Sequence, residues 1–301
     1  MPAMTPRVAE FEKVEKRTAY ELVEIGANLF HEAFQDDFEG VLRRSKQAGI
    51  TKMMLTACCE KTSREVCEMA EREPGFLYFT TGFHPYYVNN FRGTASIETF
   101  REYASHPQCV AIGECGLDYS SMNESPRDVQ FEAFRQQLEL AVELRKPLFL
   151  HERDAFEDFV SILSKFEDQL PPAVVHCFTG TAEEAATYLD MGFYIGVTGF
   201  VANNKLGKTV RDLLASEEIP LERLMIETDA PYLYPRVNDR KFKHINFSKE
   251  ALDLHKYSSH GRTEPCSLAV ICELIAGLMQ RDPIEVAQIT TENAKKVYGL
   301  M

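Results

Sequence analysis

A short apolar run followed by a longer stretch with helical spacing recurs eight times along the chain. The runs are ELVEIGANL (21–29), TKMMLTA (51–57), FLYFTTG (76–82), CVAIG (109–113), PLFLH (147–151), AVVHCF (173–178), FYIGVTG (193–199) and RLMIETD (223–229). Strands covered on both faces read as continuous apolar runs, so this pattern predicts a parallel sheet. Between the runs, Phe131, Phe134, Leu138 and Val142 mark one face of a helix over 131–145. A helix over 37–49 should stop at Gly49. Another, over 181–192, opens on Thr181 as N-cap and stops at Gly192. Two last helices, 266–281 and 282–299, close the chain, the second with Pro283 in its first turn.

Eight such units predict an α/β fold, a closed (β/α)8 TIM barrel; a doubly wound open sheet is the rival. The polar residues favour the barrel. His84, Glu114, His151, His176 and Asp229 each stand at or just past the C-terminal end of a different run. In a barrel those ends converge on one face, where active sites sit. In an open sheet they would spread along an edge. Residues 1–20 read as an N-terminal extension and 21–301 as a single catalytic domain.

Charge changes the picture in one respect. With 46 acids against 33 bases the net charge is −13, which excludes a protein that coats nucleic acid through overall basicity. An enzyme with a local basic patch remains. The segment 231–265 holds seven Lys/Arg against four Asp/Glu, interleaved with Tyr232, Tyr234, Phe242, Phe247 and Tyr257. It is expected to form a flap over the barrel mouth, with cations on phosphates and aromatics stacking on unpaired bases. Lys205, Lys208 and Arg211 follow the seventh run and belong to the same rim. The eight cysteines form no CxxC pair and read as reduced thiols. The N-terminus has no apolar signal core, and no run reaches the ~20 residues of a membrane span. The expectation is a cytoplasmic or nuclear protein, neither secreted nor bound to membrane.

Glu114, His151, His176 and Asp229 form a mixed N/O donor set suited to Zn²⁺, Mn²⁺ or Mg²⁺. Such a site ionises water and polarises a phosphoryl or carbonyl oxygen. Asp229 is placed to take a proton. His84 is a candidate for binding phosphate or stabilising charge. Arg153 and Asp154 are candidates for contacting phosphate and orienting His151. Cys115 and Cys177 neighbour proposed ligands but should turn away from them, since successive residues of an extended chain face opposite sides.

AIGECGLDY, PLFLHERDA, VVHCFTGT, GFYIGVTGF and LMIETDAPYL, in this order, resemble the TatD family of metal-dependent nucleases. RTEP (262–265) resembles that family's RNEP signature, and IGANLFHEAF (25–34) the opening of one of its branches. The resemblance runs from about residue 22 to 298. It implies a barrel of the amidohydrolase-superfamily type and a metal-dependent deoxyribonuclease. The implied activity is hydrolysis of DNA phosphodiester bonds as a 3′–5′ exonuclease on single strands, with RNA sometimes accepted. DNA repair is a role suggested at family level. The resemblance puts metal ligands on Glu114, His151, His176 and Asp229, with Glu114 able to bridge two ions. His84 matches the GxHP histidine. Glu227 matches the acid of ETD and is a second candidate for proton acceptor. Arg153, Lys205, Lys208 and Arg262 are the expected substrate contacts. One departure stands out: the superfamily's His-x-His pair is replaced by Gly26 and Asn28. One firmly held ion is therefore expected, Mg²⁺ foremost with Mn²⁺ and Zn²⁺ as alternatives, and a second only with substrate. The rival readings are a small-ester, lactone or amide hydrolase, and a catalytically weak interaction protein that keeps the fold.

Overall fold

The computed structural model describes residues 15–203, 205 and 207–300. Residues 1–14 of the expected extension, and Met301, lie outside them. Eight parallel strands pair in chain order. They are β1 (Leu22–Ala27), β2 (Ile50–Leu55), β3 (Leu77–Thr81), β4 (Cys109–Asp118), β5 (Leu148–Arg153), β6 (Ala173–Val175), β7 (Tyr194–Val197) and β8 (Leu224–Ile226). The connecting helices are α1 (Phe38–Gln47), α2 (Glu60–Ala70), α3 (Thr94–Ala104), α4 (Arg127–Leu144), α5 (Phe156–Leu163), α6 (Ala182–Asp190) and α7 (Lys208–Ala215). After β8 come α8 (Lys249–His255), α9 (Leu268–Met279) and α10 (Pro283–Tyr298).

The ends of the sheet meet across a thin seam. Ala27 and Ala230 form an isolated parallel bridge. Asn28 N–H donates to the Ala230 carbonyl at 2.8 Å, and Asp229 N–H to that of Gly26 at 2.8 Å. Beneath this seam the buried Glu24 carboxylate accepts from Gly26 N–H at 3.0 Å and from the Thr228 hydroxyl at 2.7 Å. A side chain thus completes what the short ladder leaves open.

Two apolar layers hold the barrel. Val23, Ile25, Met54, Phe149, Val174 and Met225 belong to one buried cluster, closed below by Ala294, Val297 and Tyr298 of α10. Asn293 of that helix donates to the Leu221 and Leu224 carbonyls at 3.0 and 2.8 Å, fixing α10 under the N-terminal strand ends. The larger cluster packs the alternate strand residues against the helices. Local signals agree with the predicted helices. Thr181 and Glu184 form a reciprocal capping box at the start of α6, and Asp282 caps α10 ahead of Pro283; a cap is worth about 1 kcal/mol. No helix is long and apolar enough to cross a membrane among the described residues.

Two elements differ from expectation. β4 runs past the predicted 109–113 to Asp118, because Gly116, Leu117 and Asp118 pair with His151, Glu152 and Arg153. Apolarity ends before the strand does, where side chains turn toward the mouth. The 231–265 segment is a packed wall rather than a loose flap. Val237, Phe242, Ile245, Ala251 and Leu254 are buried in the main core, at intervals too irregular to read as an element. Fully burying such a side chain contributes roughly 1.5–3 kcal/mol. Tyr234 stacks on the buried His255 at 4.9 Å, and only Tyr232 and Tyr257 of the named aromatics are exposed.

His255 gives this wall a pH dependence. Burial lowers its imidazole to about 4, with the Pro235 carbonyl pulling weakly the other way. The unfolded chain takes up that proton near the ordinary histidine value of about 6.5, so the native state binds fewer protons between the two. The stabilisation is complete above about pH 6.5 and is lost as pH falls toward 4, by about 3 kcal/mol. Thermal unfolding between pH 7 and 4 should therefore show a shallower fall in Tm for His255→Gln than for the parent chain; parallel curves would contradict the assignment.

Candidate metal centre

Alternation along each strand places the polar residues. Phe149 faces the interior cluster while Leu148 and Leu150 face the helices, so His151 continues the inner face. Val174 and Met225 do the same for His176 and Glu227. On β4, Cys115 and Leu117 pack against the outer layer, which turns Glu114, Gly116 and Asp118 inward. His84 follows β3 as N-cap of a short 3-10 turn, Pro85–Asn90.

These side chains meet at one point. Glu114 Oε1 lies 2.7 Å from His176 Nε2, 2.9 Å from His151 Nδ1 and 3.3 Å from His84 Nε2. His151 Nε2 faces Asp118 Oδ2 at 3.0 Å, and His176 Nδ1 faces Glu227 Oε2 at 3.5 Å. Two imidazoles therefore have a carboxylate at both ring nitrogens. A neutral imidazole carries one N–H and one lone pair. One of its two contacts then sets a lone pair against a carboxylate oxygen. The conflict is resolved when the ring is protonated or when a cation sits between lone pair and carboxylate. His84 is different. Its Nδ1 accepts from Tyr86 N–H at 3.1 Å, so the proton of the neutral ring is on Nε2, aimed at Glu114.

The charges follow. Burial works to raise Glu114, but His176 and His84 outweigh it and hold the carboxyl well below its ordinary range. Burial works against charge on His176 and His151, but carboxylates at both nitrogens raise both rings. Burial lowers His84. Asp118 falls to about 2: burial opposes this, and bonds from His151 and Ser120 prevail. Burial, with the Glu114 and Glu227 charges, lifts Asp229 to about 7 against the pull of His176 and of Asn28, whose Nδ2 donates to Asp229 Oδ1 at 3.0 Å. His84, Glu114 and His151 offer donor atoms within 4.8 Å of one another, a cluster able to hold a metal ion.

Residues 23–299 match the family model described as TatD related DNase. The chain belongs to the TatD-related DNase family. The 3′-5′ ssDNA/RNA exonuclease TatD of Erwinia billingiae is 39% identical over 279 residues, 93% of this chain and 99% of that one. A hydrolase TatD family protein from Entamoeba histolytica, 26% identical, superposes with a TM-score of 0.80 over 94% of this chain and 99% of its own. An uncharacterized amidohydrolase from Saccharomyces cerevisiae, 23% identical with a TM-score of 0.78 over 93% of this chain and 100% of its own, shares the fold.

In this TatD-family chain Glu114, His151, His176 and His84 come together, with Glu227 behind His176 and Asp229 beside Asn28. The expected substrate contacts stand outside that cluster. Arg153 is exposed at the end of β5, on the inward-facing side of the strand. Lys205 is exposed, and Lys208 pairs with Asp212 at 2.5 Å. Arg262 spends its guanidinium on Glu264, on Asp37 at 3.2 Å and on the Ala33 carbonyl at 3.1 Å. Cys115 turns outward into the core, and Cys177 Sγ lies 3.6 Å from Thr198 Oγ1.

Asp118 was missed. It shares the inward face with Glu114 at even spacing, a signal available once β4 is allowed to extend beyond its apolar part. Cys58 also gains a setting that the sequence does not reveal: burial and the Glu114 and Asp229 charges push its thiol well up. The loss of His-x-His has a packing explanation as well. A Cβ at Gly26 would collide with Glu227 Oε2 and press on Phe149 at 3.3 Å. A side chain at 26 would have to displace the Glu227 carboxylate from its place behind His176.

Proposed function

We propose that the barrel mouth is the active site of a metal-dependent 3′–5′ exonuclease acting on single-stranded DNA and RNA. The observation that carries this reading is the pair of imidazoles, His151 and His176, each with carboxylates at both nitrogens and both turned toward Glu114. The donor set fits a divalent ion. His176 Nδ1 and Glu227 Oε2 are buried and otherwise unpartnered, and a cation on the opposite ring nitrogen would acidify that N–H and tighten the contact. Glu114, His151, His176 and Asp229 would hold the ion, Mg²⁺ foremost with Mn²⁺ and Zn²⁺ as alternatives. When bound, it supplies Lewis acidity toward a phosphoryl oxygen and lowers the pKa of water.

The chain's own residues do the rest. Asp118 and Glu227 are positioning residues that keep the proton on the far nitrogen of His151 and His176, leaving the near lone pairs free. His84 Nε2–H, neutral and fixed by Tyr86 N–H, donates to a phosphoryl oxygen. Asp229, held by Asn28, takes the proton of the attacking water. Arg153, Lys205 and Lys208 on the rim guide the strand, and Arg262 braces the wall beside it.

Exposed aromatics explain indifference to the sugar. Tyr86, Tyr87 and Tyr232 are 36%, 46% and 49% exposed. Glu114 contributes to the field at both Tyr87 and Tyr232, and Tyr87 to that at Tyr232. Every base presents a face for stacking, whichever sugar carries it. The test is digestion of 5′-labelled single-stranded DNA by chelated protein, with and without Mg²⁺ or Mn²⁺. The expected result is metal-dependent shortening from the 3′ end. Tyr87→Ala or Tyr232→Ala should lose about 1–3 kcal/mol of stacking, a rise in KM of roughly 5- to 150-fold, while hydrolysis of methyl p-nitrophenyl phosphate is unchanged. Absence of cleavage with every metal would overturn the reading.

A further inference from the structure

A second group of metal-ligating side chains lies at the opposite end of the barrel. Cys67 and Glu71 stand four residues apart at the C-terminal end of α2, on one helix face. His106 comes from the turn between α3 and β4. One donor atom from each lies within 4.8 Å of the others. Both segments adjoin the N-terminal ends of β3 and β4, whereas Glu114 and His84 lie toward the C-terminal ends.

The scaffold is firm. Gln108 Nε2 donates to the carbonyls of Ala70 at 2.6 Å and Leu77 at 2.8 Å, tying the end of α2 to β3 and to the turn that carries His106. The His106 ring packs on the buried Phe79 at 5.5 Å, and Cys109 N–H donates to the His106 carbonyl at 3.0 Å. His106 Nε2 already lies 3.5 Å from Glu71 Oε1. Two such ligands on a zinc tetrahedron with bonds of 2.0–2.1 Å stand about 3.4 Å apart, so this edge needs almost no change. Cys67 is half-buried and Glu71 exposed, which leaves the carboxylate free to swing and a fourth position open to water.

We propose that Cys67 Sγ, His106 Nε2 and Glu71 form a binding site for a zinc-like divalent cation, separate from the barrel mouth. The set is one thiolate, one imidazole and one carboxylate, which selects a borderline-soft ion over Mg²⁺. On binding, the thiol proton leaves to solvent. In the free chain Nδ1 accepts from Gln108 N–H at 3.2 Å, which puts the imidazole proton on Nε2. To ligate, that proton moves to Nδ1 and the ring turns slightly so that the new Nδ1–H and the Gln108 N–H both face water. The Gln108 N–H bond and the 3.5 Å His106–Glu71 contact are exchanged for three metal–ligand bonds. Glu68, whose charge with that of Glu71 bears on Cys67, adds further attraction for a dication. The ion would cross-link α2 to the α3–β4 turn on the face of the barrel where residues serve stability.

The test is titration of the full, chelated chain with Co²⁺ as a spectroscopic stand-in for zinc. Thiolate–cobalt charge transfer gives a near-ultraviolet band that N/O ligands do not. The expected result is a band that saturates by two equivalents, the other ion going to the mouth, persists in Cys58→Ser and Cys177→Ser, and is lost in Cys67→Ser and His106→Gln. Zn²⁺ should raise the Tm of the parent chain more than that of Cys67→Ser, and Cys67→Ser should leave the basal nuclease rate unchanged. No band at millimolar Co²⁺, or a band that survives Cys67→Ser, would overturn the proposal. The latter would assign the thiolate to another cysteine.

Discussion

Glu114→Gln should abolish measurable exonuclease activity, by about 10³-fold or more, while leaving the fold intact. The glutamine is nearly isosteric, so the interior layer loses no volume. What disappears is the one carboxylate oxygen that faces His176, His151 and His84 together. Without it the ion loses a charged ligand, and a Lewis-acid contribution of several kcal/mol goes with it, each 1.36 kcal/mol being tenfold in rate. Stability should change little. The two raised histidines lose the partner that favours their charge, and both can respond by going neutral. Single-turnover digestion and calorimetric metal titration, read beside circular dichroism and Tm, check all of this. A variant that folds, binds metal and digests DNA at the parent rate would remove Glu114 from the centre.

Asp118→Asn should show a different signature. Asp118 is 1% exposed and reaches the centre only through His151 Nε2, with Ser120 N–H and Oγ holding its other oxygen at 2.9 and 2.5 Å. The amide can still face the imidazole but no longer fixes its tautomer by charge. Partners of this kind are worth roughly 10–100-fold in metal affinity. The apparent Kd for Mn²⁺ should rise by about that factor, and kcat at saturating metal should recover most of the parent value. A purely structural role would lower Tm without shifting the metal curve. A loss of kcat that excess metal does not restore would mean that Asp118 acts on the substrate itself.

The eight-strand rhythm and the meeting of His84, Glu114, His151 and His176 were legible because each strand is apolar up to the mouth and polar beyond it. The inner and outer faces of a strand were not legible from apolarity, since Val23 and Leu22 read alike while facing different layers. That is why Asp118 escaped notice: the apolar run stops at 113, and the strand continues on backbone pairing that leaves no mark in composition. The wall after β8 was misread for the opposite reason. Its basic residues and aromatics suggested a flap, while Phe242, Ile245 and Leu254, spaced irregularly, bury it. Glu227 was named as a proton acceptor, and the pattern held no hint that it would stand behind His176 and fill the space above Gly26.

The thin seam between β1 and β8 has a consequence for how the activity comes into being during synthesis. Asn28 and Asp229, whose side chains bond across it, are separated by 201 residues, and Glu24 and Thr228 by 204. Contacts at such separation carry the largest loop-closure entropy and reward the chain only after intervening units have docked. Asp229 takes its place when the last strand reaches the first. A ribosome-bound chain of seven strands can carry Glu114, His151 and His176, but lacks Asp229, the proposed proton acceptor. On the function proposed above, hydrolytic competence therefore waits until the last strand has docked on the first.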